Sequence, residues 1–253
     1  MFHDRGFFVC EIIDYIDGMK NILARGGIEF LAVFLGIALS FYVEEWQTEK
    51  DNEAKKDQYL SDLINTLEVD IQQIDKLLVT LINSDKLIAE IQSDIDKDHS
   101  TYSDAEILKK LLDIEVGFSF FPQDGIFNQL ISTGSFELIK NVELKNILLE
   151  MYNHQKQRNY ATSTEIDHYN IRFRNEILDQ FRVSFNYNSY DGAFYGSRTI
   201  NQYKFNQTYY MSNAFYGLLS QANLYGNMYT RQLKDIEKSY LTALSLTKNE
   251  ITK

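Results

Sequence analysis

Between residues 47 and 97 the chain carries neither proline nor glycine, and Leu60, Leu67, Ile74, Leu81, Ile88 and Ile95 recur every seventh position. Ile64, Ile71 and Leu78 fill the complementary places of the heptad. Apolar residues spaced in this way face one side of a helix and pack against a partner helix. The spacing predicts a helix of about 50 residues, roughly 75–80 Å at 1.5 Å per residue. Asp85 interrupts the seam, so a break or bend is expected near residues 83–85.

Further helices follow from end signals. Ser103 and Glu106 have capping-box spacing, which opens a helix over about residues 104–115. Gly117, Pro122, Gly125 and Gly134 punctuate a less regular stretch holding a helix over about residues 124–133. Asn141 is placed as an N-cap for a helix running to about residue 181. A last helix over about residues 212–250 presents Ala222, Tyr229, Leu233, Ile236 and Tyr240 at three-and-four spacing. The expected fold class is all-α: an N-terminal transmembrane helix followed by an elongated antiparallel helical bundle.

The transmembrane assignment rests on residues 26–43, where Glu29 is the only charge before the acidic pair Glu44 and Glu45. The uncharged part is short, since a bilayer core asks for about 20 apolar residues. Three features favour a span over a core helix: Glu29 lies near one end, Tyr42 and Trp46 sit where an interfacial aromatic belt falls, and charge begins abruptly at Glu44. No small-residue cleavage pattern precedes Glu44, which speaks against a signal peptide. Ala32, Gly36 and Ser40 recur every fourth residue, so one face allows close approach of a second helix and suggests self-association. Upstream, Phe8, Ile12, Tyr15, Ile16, Met19, Ile22 and Leu23 form an apolar stripe opposite Asp14, Asp17 and Lys20, as in an interfacial helix or one packed on the bundle. The expected organisation is therefore an amphipathic segment over 1–25, a span over 26–46 and an extramembrane bundle over 47–253. Lys20 and Arg25 lie closer to the span than Lys50, Lys55 and Lys56, which favours a cytoplasmic N-terminus and a periplasmic or exterior bundle.

Composition narrows the partners. A net charge of −11, with no basic cluster, argues against nucleic acid, whose binding depends on gathered Lys and Arg. The single cysteine, Cys10, leaves the fold without an internal disulfide, and the single proline, Pro122, suits long helices.

Candidate chemistry is sparse. Glu150 precedes His154 by four residues and Glu165 precedes His168 by three, the second pair matching half of a di-iron bundle motif. The other half has no counterpart, so these four are weak metal candidates, and no cofactor is expected. Phosphate-loop, nucleophile-elbow and zinc signatures are lacking, which points to a non-enzymatic chain. Residues 185–229 hold nine Tyr and four Phe with only Asp191, Arg198 and Lys204 charged. Such composition suits ring packing within the bundle, a protein interface, for which Tyr203, Tyr209, Tyr210, Phe215 and Tyr216 are the candidate contacts, or a small-molecule or glycan pocket.

Read together, residues 27–46 and 127–152 resemble a family of uncharacterised bacterial single-pass membrane proteins, a domain of unknown function. Its members carry a Gly-Glu-Ile-type span ending in Trp, and later a Ser-Gly-x-x-x-x-Ile-x-Asn segment leading into a helix. The matching residues are Gly27, Ile28, Glu29, Gly36, Trp46, Thr133, Gly134, Ile139 and Asn141. The chain inverts Glu and Ile after Gly27 and has Thr133 in place of Ser. The resemblance implies a membrane anchor in the bacterial inner membrane and supplies no catalytic residue. The expected role is an oligomeric scaffold or partner-docking module, touching membrane lipid, other copies of itself and a protein partner. A ligand-sensing module working through a partner and a channel subunit are the alternatives.

Overall fold

The computed structural model describes residues 5–190 and 196–251, with side chains from residue 27 onward. The stripe from Phe8 to Leu23 and Cys10 thus lies outside the described side chains. Two compact units are present, Met1–Lys55 and Lys56–Lys253. The first helix, α1, is Arg5–Ile95, and in the first unit its described side chains are all exposed. There it is long and apolar enough to cross a membrane, and none of the 18-residue apolar window is buried. A soluble core helix would instead hide its apolar face.

The second unit is mainly helical: α2 (Asp104–Asp113), α3 (Gly125–Ser132), a 3₁₀ turn (Ser135–Leu138), α4 (Val142–Leu149), a π-helical turn (Glu150–Gln155), α5 (Lys156–Gln180), α6 (Gln207–Tyr210) and α7 (Asn213–Ile251). The capping box forms as expected, with the Ser103 hydroxyl accepting from the Glu106 amide and the Glu106 carboxylate accepting from the Ser103 amide. Asn141 caps α4 by accepting from the Leu144 amide at 3.1 Å. The long helix expected from there to residue 181 contains one π-helical turn, a widening that is often found at functional sites.

α7 runs opposite to α1. Side-chain bonds join Tyr216 to Asp96 (3.3 Å), Ser220 to Gln92 (3.0 Å), Asn227 to Asp85 (3.2 Å) and Lys248 to Glu68 (2.8 Å). It runs opposite to α5 as well, through Gln221 to Arg172 (2.9 Å), Tyr225 to Glu165 (3.0 Å) and Ser239 to Gln155 (2.8 Å).

Two sequence expectations need correction here. α1 continues unbroken through residues 83–85, because the polar residues there have partners. The Ser84 hydroxyl is buried and accepts from the Glu115 amide at 2.8 Å, while Asp85 receives the side-chain amides of Asn223 and Asn227. The heptad seam is also offset. Leu60, Leu67, Ile74, Leu81, Ile88 and Ile95 are buried as expected, and so is Leu78, but the alternate seam is Leu63, Asp70, Leu77, Ser84 and Ile91, whereas Ile64 and Ile71 are only partly buried.

Between α2 and α3 an extended strap, residues 114–123, is buried over residues 114–118 and at Phe120 without joining a sheet. Buried backbone needs partners, and side chains of the helices supply them. Asn170 accepts from the Val116 amide (3.1 Å) and donates to the Gly117 carbonyl (3.3 Å). The Tyr229 hydroxyl accepts from the Phe120 amide (2.8 Å), and Asn159 donates to the Phe120 carbonyl (2.8 Å). Gly117 is required by closeness: a Cβ there would overlap Ile166 Cγ2.

The all-α expectation fails in one place. Arg182–Asn188 (β1) and Ser197–Lys204 (β2) form an antiparallel pair, with a register irregularity at Ser184/Phe185. Val183, Phe185 and Tyr187 alternate with polar residues, the period of a strand. Aromatic and β-branched residues favour that pleated arrangement.

Candidate functional site

The polar seam of α1 carries the most demanding environment in the second unit. Asp70 is fully buried where the heptad calls for an apolar residue. Its carboxyl accepts from the Gln123 amide (3.0 Å) and the Gln123 side chain (3.2 Å), and the Tyr240 hydroxyl also bonds it. Burial pushes the Asp70 carboxyl above its usual range despite these bonds. Tyr152, from the π-helical turn, stacks on Phe127 with centroids 4.6 Å apart, and its buried hydroxyl has no hydrogen-bond partner among the described residues. Burial, together with the charges of Asp70 and Asp124, raises the Tyr152 phenol. At the rim Lys156 pairs with Asp124 and holds that carboxyl low. Helix α1, helix α7 and the strap thus meet at a single buried acid, whose charge also reaches Tyr152 of the π-helical turn. Being sealed, it fixes their register.

A second cluster closes the C-terminal end of α1. His99 Nδ1 lies 2.7 Å from Asp94 Oδ2, and Nε2 lies 2.9 Å from Asp104 Oδ1. Asp94 is fully buried, and its other oxygen accepts from the Thr101 and Tyr102 amides at 2.8 and 3.1 Å. Burial opposes ionisation of Asp94, but bonds from His99, Tyr210 and the two amides outweigh it and hold the carboxyl at about 2. Burial likewise disfavours the imidazolium, yet Asp104 and Asp94 raise the His99 pKa above the ordinary value. The turn is tight: Asp98 and His99 both have positive φ, 58° and 56°. Aspartate and histidine are among the residues that tolerate this region.

The Tyr-rich segment closes over this turn. The Tyr210 hydroxyl donates to Asp94 at 2.7 Å, and its ring packs among His99, Phe205 and Phe215. Tyr210 and Phe215 are fully buried, which corrects their assignment as partner contacts. Tyr209 is half-buried and donates to Glu176 at 3.0 Å; Tyr216 is half-buried against Asp96. Tyr203 is exposed on β2, as are Tyr187 and Tyr190 on and beside β1. Ring packing therefore accounts for the centre of the segment, and exposure is confined to the hairpin and its flank.

The weak metal candidates do not converge. Glu165 follows Glu150 by fifteen residues and His168 follows His154 by fourteen, so the two pairs lie about 20 Å apart along one helical stretch at roughly 1.5 Å per residue. Glu150 instead pairs with Arg158 at 2.6 Å, and Glu165 accepts from Tyr225. Among the described residues no group of three or more His, Cys, Asp and Glu is placed to hold a metal ion.

In the first unit Ala32, Gly36 and Ser40 are exposed, and nothing lies within 4 Å of a Cβ built at Gly36. The Ser40 hydroxyl donates to the Gly36 carbonyl at 2.8 Å, which satisfies its one proton within the helix.

A scan against protein-family models finds no match, and neither a search of curated proteins nor one of solved structures finds any.

Proposed function

We propose that this chain is a membrane-anchored, non-enzymatic helical protein that acts as an oligomeric scaffold or partner-docking module. The observation that carries the reading is the fully exposed apolar stretch of α1. Ile28, Phe30, Leu31, Val33, Phe34 and Leu35 are each more than half exposed. Contiguous apolar surface of this kind marks membrane or protein contact. The bordering residues support a bilayer: Trp46 with Lys50 over its ring at 3.8 Å suits an interface, where amphipathic rings settle.

On this reading the anchor lies in a bacterial inner membrane, as the resemblance to single-pass proteins implies, and the second unit is an antiparallel bundle on the periplasmic side. Self-association uses the face of Ala32, Gly36 and Ser40, where small residues let backbones approach. Docking falls to the exposed hairpin tyrosines, since large amphipathic rings suit interfaces. The test is the native mass of the complex extracted gently in detergent, for the natural chain and for Gly36→Leu. A multiple of 29.6 kDa that falls in the variant supports assembly through the span. An unchanged mass in Gly36→Leu removes that face from the account.

A further inference from the structure

Helix α2, helix α5 and the hairpin enclose a cavity of about 80 Å³ that is partly open to solvent. Leu111, Leu112, Ile177, Leu178 and Phe185 make its walls apolar, and the guanidiniums of Arg174 and Arg198 complete the lining. Phe185 stands at the register irregularity of the hairpin, and bulges of this kind re-aim side chains next to functional sites.

The two arginines are held in place by a shared partner. Arg174 Nη2 pairs with Oε2 of buried Glu115, and Arg198 Nη2 lies 3.5 Å from Oε1 of the same carboxylate. A single carboxyl group therefore spans the distance between them. Arg198, 15% exposed at its side chain, also donates through Nη1 to the Leu112 carbonyl. Arg174 thus engages one nitrogen and Arg198 two, which leaves N–H groups on both without an acceptor among the described residues.

The neighbouring charges do not neutralise the pair. Glu115 is divided between the two guanidiniums, and Asp113, which feels the charge of Arg198, feels that of Lys109 as well. A chain of net charge −11 gathers a local positive excess here, against an apolar wall.

Forked N–H groups with spare capacity match a carboxylate, and apolar walls gain from burying hydrocarbon. At the ~30 Å³ that a water occupies, the cavity admits a chain of roughly three carbon atoms, and its open side leaves space for a longer one. We propose that this cavity binds a short aliphatic monocarboxylate, its carboxylate on Arg174 and Arg198 and its tail among Leu111, Ile177, Leu178 and Phe185. Because the lining comes from α2, α5 and both strands, occupancy fastens the hairpin to the helices. The inference requires neither the membrane anchor nor self-association.

The experiment is calorimetric titration of the full chain in non-ionic detergent micelles at neutral pH with butyrate, isobutyrate and valerate. The controls are 1-butanol and butylamine, which lack the anion, and acetate, which lacks most of the tail. At least one of the three acids is expected to bind saturably, about tenfold or more tighter than every control, and to slow amide exchange in Arg182–Asn188 and Ser197–Lys204. Arg174→Gln removes one guanidinium and is expected to weaken binding by about tenfold or more. Leu178→Phe keeps both charges and fills the cavity from a position that is 46% exposed, so it is expected to abolish binding while the unliganded melting temperature stays put. Absence of saturable binding by all three acids overturns the proposal, as does a control that binds equally well or binding that persists undiminished in Leu178→Phe.

Discussion

His99 Nδ1 lies 2.7 Å from Asp94 Oδ2, so the turn that ends α1 is held by an imidazole reaching back to a fully buried carboxylate. Asp104 at the start of α2 takes the other ring nitrogen at 2.9 Å. The protonated ring serves both carboxylates; the neutral ring has one N–H and can serve only one.

The pH dependence follows. The folded chain holds the His99 proton more tightly than the unfolded chain does. The clamp therefore contributes fully below about pH 6.5 and is lost as pH rises through the elevated folded value. Thermal melting between pH 5.5 and 9 is expected to show the midpoint falling with rising pH. His99→Asn, which tolerates positive φ, should cost about 1–3 kcal/mol at low pH and progressively less at high pH. A gap between variant and natural chain that stays constant over this range would contradict the clamp.

Asp70 gives the opposite lesson about a buried charge. Its raised carboxyl means that ionisation is disfavoured in the folded state, so a penalty grows as pH rises above the unfolded value near 3.8. Asp70→Asn keeps an acceptor for the Gln123 amide and removes the penalty. Its denaturation midpoint at pH 7 should equal or exceed that of the natural chain. Asp70→Leu, which orphans the Gln123 amide, should lose about 1–3 kcal/mol.

Glu250 is 7% exposed, and its two oxygens accept from the Lys140 and Asn141 amides, at 2.6 and 3.2 Å, just before α4. A carboxylate at a helix N-terminus meets both free amides and the positive end of the dipole. Glu250→Ala is expected to destabilise the second unit by about 2 kcal/mol. Hydrogen exchange should locate the loss at residues 139–145 and the end of α7; a loss spread evenly over the unit would show that the link is not local.

Gly117→Ala should lower stability by about 1–3 kcal/mol, because the added methyl meets Ile166 on α5. The double variant with Ile166→Ala, which removes the clashing Cγ2, is expected to lose less than the sum of the two single losses in denaturant titration.

Long helices were legible in the sequence because their spacing is set by local geometry. The capping box at Ser103 and the Asn141 cap announce themselves within four residues. What escaped is what depends on distant partners. Asp70 and Ser84 are buried by bonds to a strap 53 and 31 residues away, which local spacing does not show, whereas Ile64 and Ile71 fit the heptad locally and so enter the predicted seam. His99 gave no signal, since its carboxylates come from two helices and its aromatic lid from more than 100 residues away. The hairpin did carry a period-two signal at Val183, Phe185 and Tyr187, but the density of Tyr and Phe among Asn, Gln and Ser drew the reading to ring packing or an interface.

The central claim is that α1 anchors this chain in a membrane, and intact-mass measurement of the chain recovered from carbonate-washed membranes tests it most directly. A full-length species of 29.6 kDa, retained in the pellet and released only by detergent, is the expected result. A shorter chain cleaved after residue 43, or a full-length chain released by the wash, would contradict the anchor.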